Sequence, residues 1–398
     1  MTRFGAAMQK IDERIPGVDL PLMSVSQTKG VVRRSELTDA PQRAESLDAY
    51  KVCRKGDIVF NKMKIRSGAM GIAHEDGLVT YHYEVMRPRE DMDPRYIIHL
   101  MKSSWFTSEL IARERGISAG GEHGGIRTTE VPFTVLRTID VLLPEIDEQR
   151  AIADYLDHET ARIDTLIEEQ LRLIEMLRER RQAVVDAAFD ALGEPSVQLR
   201  RYIKFLTSGS RGWGDYYADD GERFLRIGNL PRTNLSIRGE IQFVSLPADV
   251  TEGSRTILEA GDLLFSITAY LGSVAVVDGD WVGSYVSQHV ALCRLDSDRL
   301  YSRFAGWFML TTAGQDQLNH GAAGGAKIQL ALDDIKGLRV PAASVAEQHR
   351  IAVHLDEQTE KIDALIAETQ RLIELARERR SALITAAVTG QVDVREAA

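Results

Sequence analysis

Two textures alternate along this chain of 398 residues. From Glu148 the sequence runs "EQRAIADYLDHETARIDTLIEEQLRLIEMLRERRQAVVDAA", and from Glu347 "EQHRIAVHLDEQTEKIDALIAETQRLIELARERRSALITAA". Neither run contains Gly or Pro, and Ala, Leu, Glu and Arg dominate both, which favours helix throughout. Apolar residues recur in steps of three and four at Ile163, Leu166, Leu173, Leu177 and Val184, with Ile167 and Ile174 widening the stripe. The second run matches at Ile362, Leu365, Leu372, Ala376 and Leu383, with Ile366 and Ile373. This heptad-like seam, interrupted by the polar Gln170 and Thr369, predicts a helix of about 60 Å in each run.

The offset between the runs is a constant 199 residues and about half the positions are identical, so the chain is a tandem repeat. One such helix cannot bury its stripe alone. Two in one chain predict an intramolecular antiparallel pair, the alternative being separate homodimer contacts.

The remaining blocks read differently, with short β-rich runs such as "GDIVFNKM", "GDLLFSIT", "SVAVV" and "HVALCRL" between Gly, Asp and Pro. They also correspond, more weakly. "KGDIVFNKM" (55–63) aligns with "AGDLLFSIT" (260–268), and "LPLMSVSQT" near 20 with "ERFLRIGNL" near 222. A last strand in each block ends at Pro144 or Pro341, just before a helical run. The expected architecture is α+β: globular block 1–143, helix 144–194, globular block 195–340, helix and tail 341–398. The first block lacks an obvious counterpart of the strand that precedes "SGSRGWGDYY" in the second, so it is expected to start late.

Charge follows the same division. The net charge is −10, but the helical segments carry −8 and −3 while the globular blocks carry +2 and −1. Near-neutral blocks leave room for local basic faces, on which phosphate contact depends. No stretch approaches the roughly 18 apolar residues that span a bilayer, and the N-terminal "MTRFGAAMQKIDERIPG" has acidic residues where a signal peptide is apolar. Cys53 and Cys293 stand apart in strand-like runs, and no Cys or His cluster has ligand spacing; a reduced cytoplasmic setting without a metal is the simplest expectation.

A glycine-rich run, "GAAGGAKI" (321–328), imitates a phosphate loop but has Ala326 for the second glycine and Ile328 for the hydroxyl. Its counterpart "GEHGGIRT" (121–128) shares the glycines and the basic end. A nucleotide site is therefore disfavoured. A loop admitting DNA close to its backbone, with Arg127 and Lys327 on phosphates, competes with a plain glycine turn.

A β-rich block ending in "P…EQ…I", then "ID.LI.E…LIE…ERR.A", all stated twice, resembles the specificity subunit of Type I restriction-modification systems. "LPLMSVSQTKGVVRRSE", "YKVCRKGDIVFNKM", "RFLRIGNL", "YVSQHVALCRL" and the terminal "ALITAAVTGQVDV" extend the likeness over essentially the whole chain. The resemblance implies two target-recognition domains, each reading one half of a bipartite, asymmetric sequence in double-stranded DNA. It implies helices that set the spacing and dock two adenine-methyltransferase subunits, and a restriction (motor nuclease) subunit that completes the complex. No cofactor and no catalysis of its own are implied.

Candidate contacts follow from residue type. "NKMKIRSG" places Lys62, Lys64 and Arg66 at alternating positions, one face of a strand if a strand it is, and "KGVVRRSE" adds Lys29, Arg33 and Arg34. Both suit phosphate or guanine contact, or a lysine-defended edge. In the second block Arg211, Trp213, Tyr216 and Tyr217 on a glycine-jointed stretch suit groove insertion or local packing. The "RERR" runs (Arg178, Arg180, Arg181; Arg377, Arg379, Arg380) lie among acidic neighbours and point to partner docking or a solvated face. An enzyme would need a [DN]-P-P-[YF] pocket, a cofactor loop or a nuclease carboxylate–lysine set, none of which occurs in the sequence. The other class open to such a chain is a bivalent adaptor that binds protein or RNA.

Overall fold

The computed structural model describes residues 1–39, 46–114, 130–247, 252–269, 271–320 and 329–394. The contacts divide the chain into two compact units, Met1–Leu171 with Arg371–Ala398, and Arg172–Gln370. Each unit therefore combines one globular block with part of both long helices, Ile146–Asp190 and Val345–Val388.

The blocks share an inner sheet. In the first unit it is antiparallel, with strand order Met8–Ile11, Tyr83–Pro88, Ile58–Asn61, Met70–Ile72. In the second the order is Ile203–Ser208, Val290–Leu295, Leu263–Ser266, Val274–Val276. Even the register repeats: Ile58 faces Met86 as Leu263 faces Cys293. Met8–Ile11 holds the place in this sheet that Ile203–Ser208 holds in the second; the sequence concealed it because it is only four residues long and two of them, Gln9 and Lys10, are polar.

The matching "GD" motifs have a definite job. Gly56 and Gly261 take φ of 91° and 85°, where a side chain would be strained. The next residue, Asp57 or Asp262, is 1% exposed. Its carboxylate accepts the amide of Arg54 or Glu259 at 2.8 Å and the guanidinium of Arg87 or Arg294, with Nε at 2.8 Å in both. A buried carboxylate satisfied in this way pins a turn to a neighbouring strand. Burial also pushes the Cys53 thiol up to about 11 and the Cys293 thiol to about 12, so both stay protonated and unreactive.

The outer parts differ. The first unit carries the hairpin Met23–Ser26/Gly30–Arg33 and the ladder Lys51–Cys53/Gly77–Val79. The second carries a four-stranded sheet ordered Tyr217–Ala218, Gln242–Val244, Glu222–Leu225, Tyr285–Val286.

In each unit the two helices pair antiparallel. Asp164 bonds Arg380 (2.8 Å) in the first unit, and Arg181 bonds Asp363 (2.8 Å) in the second. Residues 164 and 363 are 199 apart, as are 181 and 380, so the repeat exchanges the two pairs, which is the mark of a pseudo-twofold tandem duplication. The buried seam runs through Thr160, Ile163, Ile174, Leu177 and Arg181, and through Thr359, Ile362, Thr369, Ile373 and Ile384. Leu166, Leu365 and Leu372, expected inside it, are about half exposed. The partner helix selects Ile163 and Ile362 instead, so Leu166 and Leu365, three residues on, turn outward. Thr369 is tolerated because its hydroxyl donates to Leu365 O at 2.8 Å.

The helices are anchored in the domain cores. Ile152, Leu156, Ile384 and Val388 join the apolar core of the first unit, and Val185, Phe189, Ile351 and Leu355 that of the second. The "EQ" glutamines are buried brackets. Gln149 accepts the Asp93 amide (3.0 Å) and donates to Pro144 O (2.8 Å), while Gln348 accepts the Tyr301 amide (2.7 Å) and donates to Ala343 O (3.0 Å). Asp157 and Asp356 repeat the pattern, taking Arg95 and His99 in one unit and Arg303 and Trp307 in the other.

Candidate nucleic-acid interface

In the first unit the expected basic ridge is not a strand. The strand ends at Asn61, and Ile65–Ser67 forms a single 3-10 turn closed by Gly68 in the left-handed region. Lys62, Lys64 and Arg66 therefore do not project from one strand face. Lys62 is largely covered and pairs with Glu130 at 3.1 Å. Lys64 and Arg66 are exposed on the turn.

That turn has a neighbour which spacing alone could not reveal. Gln27 Nε2 donates to Ser67 Oγ at 3.0 Å, tying the hairpin tip that carries the exposed Lys29 to the turn that carries Lys64 and Arg66. The approach is close: a Cβ on Gly71 would lie 2.7 Å from Val31 N. Three basic residues from separated stretches thus share one polar surface, suited to a phosphodiester backbone. Arg33 turns away from such duty, since both its Nε and a terminal nitrogen donate to Glu75 at 2.6 Å. Arg34 begins the 3-10 turn Arg34–Glu36.

In the second unit Trp213 is 3% exposed, packed on Phe224 (5.6 Å between ring centroids) and Tyr285 (5.1 Å). It is a core residue of the outer sheet and is not free to insert into a groove. Tyr216 packs against the same cluster. Arg211 and Tyr217 remain exposed. The loops 121–128 and 321–328, with Arg127 and Lys327, lie outside the described residues.

Among the helix arginines, Arg181 is 6% exposed and committed to Asp363, and Arg380 to Asp164. Neither offers a free guanidinium to a partner, because each closes the helix pair. Arg178 pairs with Glu175 on the helix surface (3.0 Å), and Arg180, Arg377 and Arg379 are exposed.

The sequence reading overlooked a repeated node. His82 O accepts the amide of Lys62 (3.3 Å), whose own carbonyl accepts the amide of Val131 (3.0 Å). His289 O accepts the amide of Ile267 (3.0 Å), whose carbonyl accepts the amide of Leu330 (3.1 Å). The strands behind the node align at an offset of 207, and so do the two histidines; "YHY" (81–83) and "QHV" (288–290) carry that signal in the sequence, but only the sheet register makes it visible.

The second unit also holds an open recess of about 490 Å³ lined by Asn234, Arg238, Arg303, Trp307, Asp356 and Asp363 among others. Among the described residues no group of three or more His, Cys, Asp or Glu could hold a metal, and no helix is long and apolar enough to cross a membrane.

Residues 238–375 match the family described as Type I restriction modification DNA specificity domain. The chain is 24% identical over 303 residues to the Type I restriction enzyme StySPI specificity subunit of Salmonella potsdam, covering 68% of this chain and 60% of that protein. It is 26% identical over 205 residues to the EcoKI specificity subunit of Escherichia coli K12, covering 48% of this chain and 41% of that protein. The matches thus span about half the length of these relatives. Two solved structures share the fold along nearly the entire chain. A chain from a structure of the assembly and conformational transition of the Type I R-M system has a TM-score of 0.75 at 17% identity, covering 98% of this chain and 97% of that one. The HsdS subunit of Thermoanaerobacter tengcongensis has a TM-score of 0.56 at 18% identity, covering 98% and 96%. The chain is thus similar in sequence to Type I specificity subunits over part of its length, and it shares the fold of the two solved structures over nearly all of it.

Proposed function

We propose that this chain selects DNA for a Type I restriction-modification complex in the cytoplasm. Each recognition domain reads one half of a bipartite, asymmetric sequence. The helix pair sets the spacing and offers two near-equivalent surfaces to two adenine-methyltransferase subunits, with a restriction subunit completing the assembly. The chain itself performs no catalysis.

One observation carries this reading: the inner sheet, the helix brackets and the reciprocal ion pairs are repeated, while the outer faces of the two domains differ. A repeated frame suits a partner met twice, and unlike faces suit two different half-sites. Helices of 45 and 44 residues measure about 65 Å each, enough to separate half-sites by one to two turns of B-DNA.

The test is domain exchange. Residues 195–340 are replaced by the equivalent part of another specificity subunit, and methylated adenines are mapped in cells that also express the methyltransferase. The expected result is a change in one half of the methylated sequence. A change in both halves, or in neither, overturns the modular reading.

A further inference from the structure

We propose that Gln288 reads an adenine·thymine pair through the major groove for the second domain, and that His289 and Thr268 are positioning residues that hold its amide for that contact. This rests on the DNA-reading role proposed above and deepens it by naming one base-reading side chain and the base it takes.

The repeated frame marks one edge of the second domain. In the first domain the chain leaves the inner sheet at Lys62, bonded to His82 O, and runs at once into the turn Ile65–Ser67, where Lys64 and Arg66 meet the hairpin of Lys29. The second domain repeats that exit at Ile267, bonded to His289 O. It also repeats the turn alongside: Val290 N donates to Ser287 O at 3.0 Å, as Tyr83 N donates to Thr80 O at 3.0 Å. The edge that gathers lysine and arginine in one domain therefore presents Thr268, Gln288 and His289 in the other. A cation joins them. Ser210 N donates to Val286 O at 3.1 Å, and a Cβ on Gly209 would lie 2.0 Å from that same oxygen. Glycine thus lets this segment close on the turn, and the exposed Arg211 follows directly.

The three neutral side chains form a line of hydrogen bonds with a single direction. An amide nitrogen only donates, so Gln288 Nε2 gives a hydrogen to His289 Nε2 at 3.1 Å. The ring is then neutral with its proton on Nδ1, which donates to Thr268 Oγ1 at 3.1 Å. Both ring nitrogens are taken, so His289 has no hydrogen to give a phosphate. Gln288 keeps Oε1 and its second amide hydrogen, the acceptor and donor that match adenine N6 and N7. Fixing this long side chain before DNA arrives removes an ordering cost from binding. At the equivalent place the first domain carries Tyr81, 56% exposed, its ring 4.0 Å from the His82 imidazole. One structural place with unlike chemistry suits two different half-sites.

The experiment uses the full chain assembled with its methyltransferase subunits. Fluorescence anisotropy compares a duplex carrying the methylated sequence with duplexes changed at one base pair each, and methylated adenines are mapped in cells in parallel. Gln288→Ala is expected to lower discrimination at one adenine·thymine pair by at least about tenfold, in the half-site that exchange of residues 195–340 alters, and to leave the other pairs as they are. His289→Ala and Thr268→Val are each expected to lower discrimination at that same pair by about fivefold, and Thr268→Ser to keep the wild-type value. If Gln288→Ala weakens every duplex equally, relaxes a guanine·cytosine pair, or changes nothing, the base-reading assignment is overturned and the DNA-reading role stands. Full discrimination by both His289→Ala and Thr268→Val, or a Thr268→Ser variant as relaxed as Thr268→Val, overturns the positioning role. A wild-type assembly that binds all the duplexes alike overturns both this inference and the DNA-reading role beneath it.

Discussion

The two reciprocal ion pairs offer an internal control on what burial does to a salt bridge. Arg181 is 6% exposed, donates to Asp363 through Nε at 2.8 Å and a terminal nitrogen at 3.4 Å, and lies 5.8 Å from the Trp307 ring centroid. Asp363→Ala leaves that buried cation with little more than the ring face. Breaking a buried pair from one side costs about 3–5 kcal/mol, and the partial exposure of Asp363 together with the ring contact reduces this to about 2–3 kcal/mol. The repeat-related Asp164→Ala removes the same group from the same register. There the side chains are 50% and 34% exposed, so water replaces the lost partner and the cost is about 0.5 kcal/mol. The expected difference of about 2 kcal/mol therefore comes from environment alone. Because the pairs lie in different compact units, native-state hydrogen exchange of helix amides around each pair is the appropriate assay, with a double-mutant cycle on Arg181 and Asp363. Equal losses at the two sites, or a coupling below about 0.5 kcal/mol, would refute the reasoning.

Three further outcomes are expected. Gln348→Ala strips the Tyr301 amide and the Ala343 carbonyl of their buried partner, so the second unit should lose about 3 kcal/mol and the Tyr301 amide its exchange protection. Gly71→Ala drives a methyl against the backbone of Gly30 and Val31; a loss of about 1–3 kcal/mol and a displaced Lys29 hairpin should appear in the thermal melt and in the chemical shifts of that hairpin. Asp157 is held below the usual carboxylate range, first by its bond to His99 and then by the nearby Arg95. The stability it adds is complete above its unfolded value of about 4 and drains away as pH falls through the lower folded value. Asp157→Asn should therefore flatten the loss of thermal stability below about pH 4, and an unchanged acid limb would contradict this.

Much of this protein was open to inspection in the order of its residues. A constant offset of 199, helix-forming composition without Gly or Pro, and a three-four apolar rhythm determined two long helices and a duplicated chain, because local propensity and periodicity act over neighbouring residues. The "GD" and "EQ" motifs were visible as repeats, though not as what they are: a buried carboxylate clamping an arginine, and a buried amide bracketing a helix to a domain. Tertiary structure alone decided which stripe of the helix is inside, since Ile163 rather than Leu166 meets the partner helix, and Arg181 enters the seam only because Asp363 waits there. The same holds for the candidate interface. Lys29 joins Lys64 and Arg66, Trp213 withdraws into a core, and His82 and His289 take one place in two sheets, all through contacts between residues far apart in the chain. Periodicity reports which residues want to be buried; only the fold supplies the surfaces that bury them.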